Sequence, residues 1–162
     1  MFQVSSFKLQ EKGFTLIEII LVIGMLAVVA SMSTAVYFGY FQSVRLDETR
    51  QDISNNIILA RSKAAQGEDG LKWGVRFNNV LNDANDKYEI FSTASDYSNG
   101  TVKETIYFPS TVEFSDPADG AVKDVIFNKI SGTAGSSSVV SIIRSGTTDA
   151  RTININAQGL VY

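Results

Sequence analysis

Polar and apolar positions divide the chain into stretches of different period. Residues 1–13 are short and mixed, with Lys8 and Lys12 outweighing Glu11. From Phe14 to Phe41 nearly every position is apolar or small, and Glu18 is the only charge before Arg45. A run that is apolar on all sides carries no period, so its length decides. At ~1.5 Å per residue, roughly 28 helical residues reach on the order of 42 Å, more than the ~30 Å hydrocarbon core of a bilayer. One membrane crossing is therefore predicted. No proline interrupts the run, and Gly24 and Gly39 each weaken a helix by about 1 kcal/mol relative to alanine, which predicts a continuous but locally soft helix.

Beyond Gln42 the pattern becomes one-sided. Leu46, Ile53, Ile57, Ala60 and Ala64 recur at helical intervals, with Arg45, Asp47, Glu48, Arg50, Asp52, Arg61 and Lys63 between them. Gly67 and the following Glu-Asp-Gly mark a stop. A single helix is predicted from about Phe14 to Gln66, and the inner face of its second half must cover something.

The remainder alternates with period two. Leu71, Trp73, Val75 and Phe77 fall on one face, and further strands are predicted near 87–92, 101–108, 111–114, 122–128, 139–143 and 151–155, with a short one at 160–162. Turn residues separate them at 82–86, 98–100, 116–120 and 158–159, and Ser131–Ser138 reads as a flexible loop. The predicted class is α+β: a long N-terminal helix, part membrane and part amphipathic, packed against one antiparallel β-sheet. The expected organisation is a leader at 1–13, a transmembrane and assembly helix at 14–41, its amphipathic continuation at 42–67 and a globular β-rich domain at 68–162. Trp73, Phe77, Phe91, Phe108, Phe114 and Phe127 are the predicted sheet core.

Composition narrows the chemistry. Cysteine and histidine are absent, which removes disulfides, thiol nucleophiles, imidazole bases and Cys/His metal sites. No nucleophile arrangement stands out, so the chain does not read as an enzyme, and no cofactor is expected. The net charge of −3 argues against a phosphate-binding surface and so against nucleic acid as a partner.

One short segment carries most of the functional signal. Lys12-Gly13-Phe14-Thr15-Leu16-Ile17-Glu18 joins a basic leader, glycine then phenylalanine, a glutamate four residues on, and an apolar helix. A carboxylate near the start of an apolar helix costs about 3 kcal/mol in a membrane and calls for a partner. The segment closely resembles the processing site of type IV prepilins and of type II secretion pseudopilins. That resemblance implies cleavage between Gly13 and Phe14 by a prepilin peptidase, N-methylation of Phe14, and pairing of Glu18 with a Phe14 amine to set the register of assembly. It implies further that the partners are other pilin or pseudopilin subunits, the peptidase, an inner-membrane assembly platform and, before assembly, membrane lipid. The location implied is the cytoplasmic (inner) membrane, single-pass, with the C-terminal domain extracytoplasmic, followed by a periplasmic or extracellular filament. The competing reading of the same segment is an ordinary signal anchor, or a secretory peptide cut near Ala30 or Ala35, although such apolar regions run to about 7–15 residues.

Trp73–Phe77, Tyr107–Phe114, Val125–Gly132 and Arg151–Val161 are similar to the H-type, FimT-like minor pseudopilins, which implies a minor structural subunit of a secretion or pilus filament. The chain departs from many major pilins in having neither a disulfide loop nor a helix-kinking proline. Two alternatives stand beside this reading: a DNA-binding minor pilin for uptake, using Arg144 and Arg151, and a signal-anchored surface domain that does not assemble. Asp83, Asn85 and Asp86, with Glu89, and separately Asp116, Asp119 and Asp124, offer the hard oxygens that calcium prefers, without completing a loop signature.

Overall fold

The computed structural model describes residues 13–81 and 86–162, with the side chains of 32–36 and 38 excepted. Two compact units divide the chain, one ending at Gly39 and the other running from Tyr40 to Tyr162. Helix α1 spans Leu16–Gln66. In the first unit its described side chains are all exposed. Among the described residues no helix is long and apolar enough to cross a membrane. The crossing over 14–41 is an expectation of the sequence.

In the second unit α1 is amphipathic. Leu46, Ile53, Ile57, Ala60 and Ala64 are wholly buried, on the face that their spacing defines. Seven strands follow: β1 (Lys72–Asn78), β2 (Lys87–Thr93), β3 (Gly100–Tyr107), β4 (Val112–Asp116), β5 (Val122–Phe127), β6 (Ser138–Arg144) and β7 (Ala150–Ile155). They form two antiparallel sheets rather than one. The first has the order β3-β2-β1-β5 and the second β4-β6-β7. The chain leaves the first sheet after β3, starts the second with β4, and returns with β5 to pair alongside β1. The residues predicted at 160–162 form an isolated bridge, Ile155 to Val161, in place of a strand.

The buried face of α1 joins inward residues of both sheets in one core, among them Trp73, Val75, Phe77, Tyr88 and Ile90 from the first sheet and Phe114, Val140, Ile142, Ile153 and Ile155 from the second. Edge-to-face aromatic contacts knit it together, with Phe77 and Phe114 rings 5.9 Å apart and Tyr88 and Phe108 rings 6.0 Å apart. Phe91 is buried as well, but on the opposite face of the first sheet, under Tyr97 with ring centres 4.9 Å apart. Gly74 makes room for it: a Cβ there would lie 2.8 Å from Phe91 Cζ and 2.7 Å from the Val125 carbonyl oxygen.

The loop after β5, expected to be flexible, is tied down at its near end. The Gly132 amide donates to the Asn128 carbonyl at 2.8 Å, Ala134 to Ala157 at 3.0 Å, and Ile130 to the Ala64 carbonyl of α1 at 2.8 Å. Arg61 adds Nε bonds to the carbonyls of Gly132 and Gln158. Gly132 packs against this end of α1, where an added Cβ would lie 3.2 Å from Ala65 Cβ and 3.5 Å from the Arg61 carbonyl oxygen, and the Ala64 carbonyl, which also accepts from the Gly67 amide, gains a second donor there.

Candidate processing and assembly site

Helix α1 does not begin at Phe14. Gly13, Phe14 and Thr15 are non-helical and exposed, and the first helical residue is Leu16. Thr15 is the cap: its carbonyl accepts from the amides of Glu18 at 3.1 Å and Ile19 at 3.3 Å, and its Oγ1 accepts from the Glu18 amide at 3.3 Å. This satisfies one of the orphan donors of a helix N-terminus. Thr15-Leu16-Ile17-Glu18 has the spacing of a capping box, a sequence signal for Thr15 that attention to Glu18 alone passes over. Glu18 also places negative charge in the first turn, where the helix dipole favours it.

Around this start the apolar surface is exposed among the described residues. Phe14 and Leu16 are each 78 % exposed, and Ile17, Ile20, Ile23 and Leu26 are all exposed. Nothing within the described chain requires glycine at position 13 either, since an added Cβ would meet no atom within 4 Å and the backbone there is not left-handed.

Comparison with known proteins adds one decisive observation: residues 8–34 match the family model of the prokaryotic N-terminal methylation motif. The chain carries a type IV pilin-like signal. That motif indicates a type IV pilin-like substrate of prepilin peptidase, and it points to membrane anchoring before assembly and to a structural role. It covers the leader's end, the Gly13–Phe14 bond, Thr15, Glu18 and most of the apolar run. No curated protein and no solved structure matches the chain, so the likeness of the β-rich half to H-type subunits has no support beyond its own residues.

The weaker candidates lie elsewhere, each in a structural setting of its own. Asp83 and Asn85 are outside the described residues. Asp86 is buried, and both of its carboxylate oxygens are occupied: Oδ1 accepts from the Val80 amide at 2.9 Å and Oδ2 from the Phe114 amide at 2.7 Å, while its carbonyl accepts from Phe108 at 2.7 Å. It braces the β1–β2 connection against β4. Glu89 accepts from Lys87 Nζ at 2.8 Å and from the Tyr97 hydroxyl at 2.5 Å. Burial raises its pKa, but these two bonds and the Lys87 and Arg76 charges outweigh that and hold it below the ordinary carboxylate range. Asp124 takes a two-pronged bond from Arg76, at 2.6 and 2.5 Å, and Lys123 pairs with Asp116. Among the described residues no group of three or more acidic side chains is placed to hold a metal ion.

Arg151 Nε donates to Asp47 Oδ1 and Nη1 to Asp149 Oδ1, both at 2.6 Å, with a further bond to the Ala150 carbonyl. Its charge is matched by two carboxylates, whose hydrogen bonds, that of Asp47 first, raise its pKa further. Arg144 donates to Thr147 Oγ1 at 3.3 Å in the β6–β7 turn. Arg151 thus fastens the β7 start to α1.

Proposed function

We propose that the chain is a structural subunit, of the minor class, in a type IV pilus-like or type II secretion filament. The carrying observation is the methylation motif at 8–34 falling on an apolar helix whose described side chains from Leu16 to Ser31 are exposed and that continues in sequence into a folded β-rich unit. In this reading prepilin peptidase cuts between Gly13 and Phe14, in the non-helical segment ahead of the Thr15 cap, where a protease gains a backbone free of helical hydrogen bonds. The peptidase then methylates Phe14. The new ammonium lies within one turn of Glu18, and a neighbour's ammonium meets that carboxylate at only one axial offset, which sets register between subunits.

Before cleavage the 14–41 segment anchors the chain in the inner membrane, with residues 42–162 on the extracytoplasmic side. Afterwards the same apolar surface is covered by other subunits. The test is mass spectrometry of the chain from its native cells, combined with fractionation of sheared filaments. A mature N-terminus at methylated Phe14 and recovery in the filament fraction are expected. A chain still beginning at Met1, or starting near Ala30 or Ala35, refutes the reading. A processed chain absent from filaments leaves a signal-anchored surface domain.

A further inference from the structure

The turn after β5 shows an unusual choice of residue. Ile130 has φ +72°, a left-handed conformation that a β-branched side chain rarely adopts, and it is 73 % exposed. Its amide is fixed by the Ala64 carbonyl and the turn by the Gly132–Asn128 bond, so the conformation is imposed by the surroundings while the apolar side chain is held out to solvent. Glycine there would relieve the backbone and lose only the side chain.

Beside it lies a cavity of about 430 Å³ lined by Gly70, Lys72, Asn128 and Lys129. Lys63, Lys72, Lys103 and Lys129 gather around the Gly67–Leu71 turn, Lys129 Nζ donating to the Gly70 carbonyl at 3.2 Å, and among the described residues only Glu68 and Asp69 offset them, through Lys63 and Lys103. Lys72 and Lys129 have no carboxylate partner among the described residues. This end of an acidic chain is locally basic, with one apolar knob.

The solvent face of α1 in the same unit has the opposite character. Glu48, Asp52, Asn55 and Leu59 lie at steps of four, three and four residues, one continuous exposed stripe. Neither acid has a cationic partner among the described residues, and Leu59 is 42 % exposed. Two acids followed by an apolar side chain complement two lysines beside an apolar side chain.

We infer that these surfaces meet head to tail: the Lys72, Lys129 and Ile130 end of one copy docks on the Glu48–Leu59 stripe of a second copy. The patches differ, so the contact is heterologous and repeats along a line rather than closing in a pair. With ~1.5 Å rise per residue, Glu48 to Leu59 lie about 10–27 Å before the helix end at Gln66, so the two patches are offset along α1. The inference rests on the filament reading and names one partner surface for it.

The absence of native cysteine gives a clean test on the full chain in its native cells. Cysteines are placed at Lys129 and Asp52, singly and together, and treated with a short bismaleimide. The double variant is expected to give cross-linked oligomers and each single variant none. Dimers from a single variant indicate a two-fold contact, and products with a different protein indicate another occupant; either overturns the inference, as does no product from processed, filament-borne protein. Loss of processing at Phe14 instead defeats the filament reading and this contact with it. Lys72→Glu with Lys129→Glu is expected to cut recovery of the chain in filaments about tenfold, with Glu48→Lys and Asp52→Lys restoring it. Ile130→Gly is expected to raise the melting temperature while weakening cross-linking of the double variant. A raised melting temperature with unchanged cross-linking excludes Ile130 from the contact.

Discussion

From Gly13 to Ser31 every described side chain faces solvent, whereas in the Tyr40–Tyr162 unit the inward positions of α1 and of both sheets are closed over. The glycines make the same contrast. A Cβ on Gly13, Gly24 or Gly39 meets nothing within 4 Å, but on Gly74 it would strike the Val125 carbonyl and the Phe91 ring. In the globular unit the chain itself dictates its residues. In the N-terminal unit the described residues impose no such constraint, and under the proposed function a peptidase, a membrane or a neighbouring subunit supplies it. Substitutions in the first region should therefore alter processing and assembly without touching stability, and those in the second should do the reverse.

The sharpest way to break that division is Glu18→Leu. Cleavage at Gly13–Phe14 and the melting temperature of the globular unit should be unchanged, while the amount of chain recovered in sheared filaments falls at least about tenfold. Normal recovery would remove the register role. Gly74→Ala is the converse case, with a clash against backbone that cannot swing aside. A loss of about 3 kcal/mol in denaturant unfolding is expected, with processing intact. Ile57→Ala, wholly buried on α1, should cost a similar ~2–4 kcal/mol by opening a cavity, and an effect under about 1 kcal/mol would mean that the helix face is not packed as described.

A smaller effect is expected from pH. The folded pKa of Glu89 is depressed, so its contribution is present above the unfolded value of about 4.3 and is lost as pH falls through the lower folded value. Thermal stability of Glu89→Gln should accordingly vary less than that of the parent between about pH 5 and about pH 3. Identical pH slopes would sink this. Smallest of all, Gly24→Ala should strengthen local helix by about 1 kcal/mol, detectable as slower amide exchange near residue 24 and absent from the unfolding curve of the globular unit.

What the amino-acid pattern reveals follows from which physical signals are local. The buried face of α1 is legible because helical spacing selects Leu46 to Ala64, and β1 because alternation selects Trp73, Val75 and Phe77. Strand partners are not legible. Period two assigns a face but no neighbour, and β5 passes over nearer strands to pair with β1, which divides the expected single sheet into two. Asp86 shows the same limit at a single residue: among acidic neighbours it resembles a cation ligand, yet one of its oxygens holds an amide 28 residues further on. Thr15 is the opposite case, since its cap lies within four residues and the spacing is open to view. The methylation motif is legible for the same reason, being wholly contained in a short contiguous segment.

The chain's one tryptophan is almost fully covered, with Lys63 Nζ 4.4 Å and Lys103 Nζ 5.6 Å from its ring and its indole N–H bonded to the Glu68 carbonyl just past the end of α1. Its fluorescence is therefore a native optical gauge of a single place, the seam where the helix hands over to the first strand. Undocking of the helix end brings water to the indole and shifts its emission to the red, so that event can be timed in unlabelled protein and told apart from changes in the tryptophan-free N-terminal unit.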